Sequence, residues 1–287
     1  MNLARAARSA RLRLIITAVL AVATLVAVTA QAASAHASSS HVSGWGGGPK
    51  PTIVLEHGAW ADASSWDKVI LRLQEDGFTV YAPPNPLRGV SYDSTYLKDF
   101  LSTIPGPIVL VGHSYGGFVI TNAATGNANV KALVYVDAFL PDQGETLAQL
   151  VSAQPGSCLA GNPKDIFNLV PYPGAPAGDV DTYIKQSLVP SCFASGLPAS
   201  QAAVIAATQR PLAASTLGEP SGPPVWKTIP SWDVIGTADR VLPPAEQLFM
   251  AKRAGAHITK VNAGHLSMIA DPGAVAQVIE QAAQATS

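Results

Sequence analysis

A serine lies between two apolar runs in residues 108–120, which read Ile-Val-Leu-Val-Gly-His-Ser-Tyr-Gly-Gly-Phe-Val-Ile. Residues 112–116 match the pattern G-x-S-x-G, which places a nucleophilic serine on a sharp turn between a strand and a helix. The flanking glycines let strand and helix approach closely, and the helix N-terminus offers free N–H groups to a developing negative charge. A glycine-rich turn without chemistry is the alternative. The apolar run before it and the helical pattern after it favour Ser114 as a nucleophile.

A serine hydroxyl needs a base, which in such enzymes is a histidine from another loop. His265 follows the last predicted strand and precedes the last predicted helix, so its loop can reach the carboxyl edge of a sheet. We therefore predict His265 as the general base. The other five histidines fall in the N-terminal segment, the turn itself, the start of a strand, or the loop after the first strand (His36, His41, His113, His257, His57).

An acid must orient that histidine, and two aspartates have suitable positions. Asp239 follows the strand before the last one, and two prolines after it fix a turn that could aim its carboxylate. Asp137 ends the predicted strand 130–139. Both satisfy the chain order Ser…Asp…His, and hydrolases of this architecture use either position. We favour Asp239 because its loop neighbours that of His265, and keep Asp137 as the alternative acid.

The negative oxygen formed on attack needs two fixed hydrogen-bond donors. One is expected to be the backbone N–H of Tyr115, directly after the nucleophile. The other is expected from the loop after the first strand, most simply the N–H of Ala59.

These residues need a scaffold, and the hydrophobic pattern predicts one. From residue 51 onwards, β-branched runs alternate with helical patterns, which indicates an α/β fold with a mostly parallel central sheet flanked by helices. The near-continuous apolar run 107–113 suits a central strand. The predicted strands are 52–58, 78–83, 107–113, 130–139, 230–236 and 256–261.

The alternation breaks in residues 140–228, which are rich in Pro, Gly, Ser and Ala. This stretch is too long for a plain loop. We predict a helical lid inserted into a core formed by 51–139 and 229–287. The lid holds the chain's two cysteines, Cys158 and Cys192, which predict a disulfide if the protein is exported.

Residues 1–37 have the features of an export signal. Four arginines precede an apolar run, and small residues follow it at cleavage-site spacing. The run is short for a membrane span, so we expect cleavage, secretion and no stable membrane association. Residues 38–50 read as a flexible linker. Removing four arginines and no acid moves the formal charge from −1 to about −5, which argues against nucleic-acid binding.

Four segments, 54–66, 109–120, 235–244 and 263–272, together resemble the α/β-hydrolase superfamily. They look closest to the branch that holds plant methylesterases, hydroxynitrile lyases and small bacterial esterases. The likeness covers about 50–139 and 229–285. It implies a serine carboxylic-ester hydrolase with Ser114, His265 and Asp239 in the catalytic roles. It also implies a pocket between lid and sheet edge for a small-molecule ester, and neither a cofactor nor a metal.

Two positions depart from the lyases of that branch. The lyases carry a threonine after the first-strand histidine and a lysine after the catalytic histidine, where this sequence has Gly58 and Leu266. The resemblance therefore favours an esterase over carbon–carbon or carbon–nitrogen bond cleavage of the lyase or amidase kind. A non-catalytic binding protein is the remaining alternative, and it would not need all three reactive side chains.

Overall fold

The computed structural model describes residues 49–287. The predicted signal segment 1–37 and all but the end of the predicted linker 38–50 lie outside the described residues. The strands are β1 Thr52–Glu56, β2 Val80–Tyr81, β3 Ile108–His113, β4 Val130–Val136, β5 Phe167–Val170, β6 Asp181–Ile184, β7 Leu212–Ala213, β8 Ser231–Gly236 and β9 His257–Val261. The α-helices are α1 Asp67–Glu75, α2 Val90–Ser102, α3 Gly116–Ala123, α4 Leu147–Ala153, α5 Pro163–Ile166, α6 Ala199–Ala207, α7 Pro244–Ala254, α8 Ser267–Ala270 and α9 Pro272–Ala285.

The central sheet has six strands in the order β2-β1-β3-β4-β8-β9, and every neighbouring pair is parallel. Every residue of β3 is buried, as its continuous apolar run predicts. The carboxyl ends of parallel strands meet at one edge of a sheet. The loops after β3, β8 and β9, which carry Ser114, Asp239 and His265, therefore lie at the same edge. The predicted α/β-hydrolase fold is confirmed.

Local signals in the sequence set the ends of the helices. A short 3-10 turn leads into α1, and the Asp62 side chain caps that turn by accepting from the Ser64 N–H over 2.8 Å. α7 ends at Gly255, whose φ of 66° is left-handed, a conformation that glycine adopts at little cost. At α9 the Asp271 carboxylate accepts from the Ala274 N–H over 3.1 Å. None of the helices in residues 49–287 combines the length and apolar character that crossing a bilayer requires.

The insert at 140–228 is mixed rather than wholly helical. It contains α4, α5 and α6 together with an antiparallel sheet in the order β5-β6-β7. The sequence pattern does not predict this sheet. Its strands have two to four residues, too few to show an alternating pattern, and pairing between distant segments stabilises them. The Arg88 guanidinium pairs with the Asp181 carboxylate over 2.5 Å and ties this sheet to the core.

Cys158 and Cys192 form the predicted disulfide, with a Cα–Cα distance of 5.8 Å. The bond joins two segments of the insert that both contact the loop carrying Asp239. The Cys158 N–H donates to the Arg240 carbonyl over 2.7 Å, and the Arg240 guanidinium donates to the Ser191 carbonyl over 3.2 Å. The disulfide therefore connects the insert to the sheet edge as well as to itself.

Candidate active site

Ser114 lies on the turn between β3 and α3. Its φ is 52°, a left-handed conformation that is uncommon for residues other than glycine and is often found at functional sites. The turn is tight, since a Cβ atom at Gly112 would lie 2.7 Å from the carbonyl oxygen of Gly116. The glycines around the serine are thus required by the close approach of strand and helix, as the sequence analysis inferred.

The structure brings Ser114, His265 and Asp239 together in a chain of hydrogen bonds, and all three are buried. An ionised carboxylate can only accept, so His265 carries its proton on Nδ1 and donates to Asp239 Oδ2 over 2.8 Å. The Nε2 atom of His265 is then an acceptor, and the Ser114 hydroxyl donates to it over 2.9 Å. The imidazole therefore has the tautomer that can take a proton from the serine.

Three further donors hold the Asp239 carboxylate in place. Its Oδ1 atom accepts from the N–H groups of Val241 and Leu242 over 2.7 and 3.0 Å. Its Oδ2 atom accepts from the side-chain amide of Gln247 on α7 over 2.7 Å, in addition to the bond from His265. Gln247 is not recognisable from the sequence, because nothing in an amphipathic helix marks which polar residue turns inward.

Asp137, the alternative acid, binds other partners. Its Oδ1 atom accepts from the Gly236 N–H over 2.8 Å and the Ser267 hydroxyl over 3.0 Å, and its Oδ2 atom accepts from the Ser267 N–H over 2.8 Å. It thereby joins the end of β8 to the residue two positions after His265. Burial, aided by the nearby charge of Asp239, raises the pKa of Asp137 to about 7.

His113, assigned by the sequence analysis only to the turn, supports His265 directly. Its Nε2–H donates to the backbone carbonyl of His265 over 2.8 Å, across 152 residues of chain. Burial, together with the charge of His265, lowers the pKa of His113 well below its usual value, so its ring stays neutral. His113 therefore ties the loop of the candidate base to the turn of the candidate nucleophile.

The charge state of His265 depends on opposing effects. Burial alone lowers the pKa of a histidine, but the charge of Asp239, the hydrogen bond to it, and the charge of Asp137 outweigh burial. The net effect is a pKa raised above the ordinary value of 6.5. A proton taken up by His265 during a reaction is therefore stabilised by two neighbouring carboxylates.

The backbone N–H groups of Ala59 and Tyr115 are the predicted donors to a negative oxygen. Both residues line the same cavity as Ser114, and within residues 49–287 neither N–H donates to a protein acceptor. The neighbouring Gly58 must be glycine, since a Cβ atom there would lie 2.7 Å from the Cβ atom of Ser114. The first-strand loop therefore runs directly against the nucleophile.

The hydroxyl of Tyr115 lies in a buried acidic cluster. Its hydroxyl donates to Asp93 over 2.6 Å, and Asp93 also accepts from the Arg88 N–H over 3.0 Å. Burial, with a smaller effect from the charge of Asp93, raises the pKa of Glu56 at the end of β1 well above its usual value. This cluster anchors the residue directly after the nucleophile.

A cavity of about 170 Å³ opens beside Ser114. Its walls are mainly apolar and come from both the sheet edge and the insert; the residues from the insert include Leu147, Val151, Leu159, Phe167 and Leu217. An enclosed apolar space of roughly 150 Å³ holds a molecule the size of benzene. In residues 49–287 no group of three or more His, Cys, Asp or Glu side chains is arranged to hold a metal ion.

Two known proteins resemble part of this chain. A carbendazim hydrolyzing esterase from Nocardioides sp. (strain SG-4G) is 35% identical over 111 residues, which are 34% of this chain and 46% of that protein. An alpha-hydroxynitrile lyase from Arabidopsis thaliana is 34% identical over 107 residues, 32% of this chain and 42% of the lyase. The matched region thus spans less than half the length of each of these relatives.

The fold matches over a greater length. The crystal structure of polyneuridine aldehyde esterase superposes with a TM-score of 0.69, covering 81% of this chain and 99% of that one at 18% identity. The family model described as the alpha/beta hydrolase family matches residues 53–278, which include the turn at Ser114 and the loops of Asp239 and His265. The chain therefore belongs to the alpha/beta hydrolase family.

Proposed function

We propose that this protein is a secreted serine esterase that hydrolyses carboxylic esters of small molecules through a covalent acyl-enzyme. The observation that carries the proposal is the buried chain of hydrogen bonds from Ser114 through His265 to Asp239, beside an apolar cavity. The esterases among the proteins that resemble this chain support the same class of reaction.

In the proposed mechanism, Ser114 Oγ attacks the ester carbonyl carbon while its proton passes to His265 Nε2. The N–H groups of Ala59 and Tyr115 bind the resulting oxyanion, and loss of one such donor typically lowers kcat by about 10²–10³-fold. His265 then gives the proton to the departing alcohol oxygen, leaving the acyl group on Ser114. Water attacks that acyl group, with His265 taking the water's proton and returning it to Ser114 Oγ as the acid leaves.

The test is hydrolysis of p-nitrophenyl acetate by the wild type and by Ser114→Ala. The variant should lose activity by about 10⁶-fold, to the background level, while keeping its circular dichroism spectrum. Ser152→Ala is a matched control, because Ser152 also lines the cavity but, among residues 49–287, has no hydrogen bond to a basic side chain. A fluorophosphonate probe should label the wild type on Ser114 alone. Turnover that persists in Ser114→Ala would refute the proposal.

Lyase activity deserves a direct comparison because one relative is a hydroxynitrile lyase. The position after His265 is Leu266, which is buried and carries no charge to stabilise a departing cyanide. At Gly58 any larger side chain would press against Ser114. Both features favour the esterase. Cyanohydrin cleavage faster than ester hydrolysis by the same preparation would reverse this preference.

Secretion is part of the proposal and has its own support. A disulfide persists in oxidising compartments, and Cys158 and Cys192 form one in the described part of the chain. We expect the culture medium of an expressing bacterium to contain protein that begins after residue 37 or nearby. N-terminal sequencing by mass spectrometry tests this. Full-length chain retained in the cells would contradict it.

A further inference from the structure

A second cavity of about 160 Å³ lies next to the one at Ser114. Its lining includes Phe193, Gln201, Ile205 and Leu266 but neither Ser114 nor His265. In residues 49–287, Trp60 is the one residue that lines both cavities. Its indole therefore separates the space that contains the candidate nucleophile from a space of similar size.

The indole of Trp60 is held between aromatic rings from the two cavities. It stacks on Phe167, a wall of the first cavity, with ring centroids 5.3 Å apart. It meets the edge of Phe193, a wall of the second cavity, at 6.3 Å. The Phe193 ring in turn lies 5.5 Å from the ring of His265. The partition thus consists of packed aromatic rings next to the candidate base.

Hydrogen bonds fix the indole in this position. Its Nε1–H donates to the carbonyl oxygen of Thr182 over 3.0 Å and to the Thr182 hydroxyl over 3.2 Å. Thr182 is a buried residue of β6. The Trp60 backbone has a φ of 56°, which is rare for a bulky residue and is kept only where the surroundings enforce it. Trp60 also directly follows Ala59, so the partition stands beside the predicted oxyanion donor.

We propose that Trp60 is a specificity-determining residue that limits the acyl group of the ester to about the size of a benzene ring. The inference rests on the proposed esterase function. With the indole in place, an acyl group can fill only the first cavity. Removing the indole would join the two cavities and roughly double the space available to the acyl group.

The experiment compares kcat/KM on p-nitrophenyl butyrate and laurate. Trp60→Gly opens the partition and suits the left-handed backbone, whereas Trp60→Phe keeps an aromatic wall. Each newly buried methylene favours binding by about fourfold, so the laurate-to-butyrate ratio should rise at least about tenfold in Trp60→Gly. In Trp60→Phe it should stay within about threefold of the wild type. Trp60→Leu, which keeps an apolar core residue, replaces Trp60→Gly if that variant does not fold.

Refilling the second cavity makes the test specific. Ile205→Trp adds bulk there, so in the Trp60→Gly background it should abolish the gain on laurate. Alone, it should leave both esters unaffected, because the wild-type indole already excludes the acyl group from that space. An unchanged ratio in a folded Trp60→Gly, or loss of laurate turnover in Ile205→Trp alone, would overturn the proposal. Fluorophosphonate labelling of wild-type Ser114 separates these outcomes from failure of the esterase assignment.

Discussion

Replacing Asp239 with asparagine tests the proposed catalytic chain at its most constrained point. The carboxylate accepts four N–H donors, two at each oxygen. Asparagine has nearly the same shape but one accepting oxygen instead of two. The backbone N–H groups of Val241 and Leu242 cannot turn away, so the asparagine oxygen is expected to take the Oδ1 position.

The amide nitrogen of the substituted residue would then face His265 Nδ1. Two N–H groups cannot bond to each other, so His265 would move its proton to Nε2 and accept on Nδ1. That tautomer has no lone pair for the proton of Ser114. The serine would keep its position, but its hydroxyl would have no base.

The size of the effect follows from this loss of the correct tautomer. In serine proteases of unrelated fold, the corresponding change lowers kcat by about 10⁴-fold with the geometry intact. At about 1.4 kcal/mol for each factor of ten, this is about 5 kcal/mol of lost transition-state stabilisation. We expect a similar fall in kcat here. KM should change little, because the apolar cavity proposed to hold the acyl group is unaltered.

The measurement is kcat and KM for p-nitrophenyl butyrate, with the melting temperature as the check on folding. Asp137→Asn is the matched control. Its carboxylate bonds Gly236 and Ser267 and makes no hydrogen bond to His265, so we expect less than about a tenfold loss. If Asp239→Asn kept activity within tenfold of the wild type, or if Asp137→Asn were the more damaging, Asp239 would not be the orienting acid.

Three further predictions concern pH and stability. The kcat/KM for ester hydrolysis should fall as the pH drops through the raised pKa of His265, because protonated His265 cannot accept the proton of Ser114. Asp137→Asn should move this acidic limb of the kcat/KM profile to lower pH, because it removes a charge that favours the imidazolium of His265. Asp233 on β8 is buried, neither of its oxygens has a partner within residues 49–287, and burial raises its pKa well above the usual value. As the pH rises from about 4, the unfolded chain releases a proton from Asp233 that the folded state keeps, so this residue increasingly destabilises the folded state. Asp233→Asn should therefore raise the melting temperature at pH 8 and change it little at pH 4. An equal gain at both pH values would refute this. The double substitution Cys158→Ser and Cys192→Ser should lower the free energy of unfolding, measured by urea titration, by about 3–4 kcal/mol. The reason is that it removes a cross-link between residues 34 apart, which restricts the conformational entropy of the unfolded chain. A loss below about 1 kcal/mol would contradict this reasoning.

The parts of the site that the sequence predicts are those set by local chain geometry. Ser114 is recognisable because its turn needs glycine two positions before and two positions after it, and these glycines lie within the five consecutive residues 112–116. Asp239 and His265 follow because parallel strands of one sheet end at one edge, so position along the chain specifies position at the site. In each case a short pattern and one topological rule are sufficient.

The parts that the sequence does not predict depend on contacts between distant segments. The bond from His113 to the His265 carbonyl joins residues 152 apart, and no local pattern distinguishes His113 from any turn histidine. Gln247 meets Asp239 only because α7 packs against the loop after β8. The strands of the insert are too short to show the alternation of polar and apolar residues by which a strand is recognised. Their pairing depends on segments that are distant in the sequence.

This division separates the chemistry of the molecule from its proposed selectivity. The candidate nucleophile, base and acid all belong to the core. Most of the walls of the cavity beside Ser114, and the Thr182 contacts that hold Trp60, belong to the insert. Changes at insert residues that line the cavity, such as Leu147 and Val151, can therefore reshape the space beside Ser114, whereas changes near Cys158 would also disturb the loop that carries Asp239. Trp60 is the point where the two meet, because its backbone continues the oxyanion loop while its indole is bonded to β6.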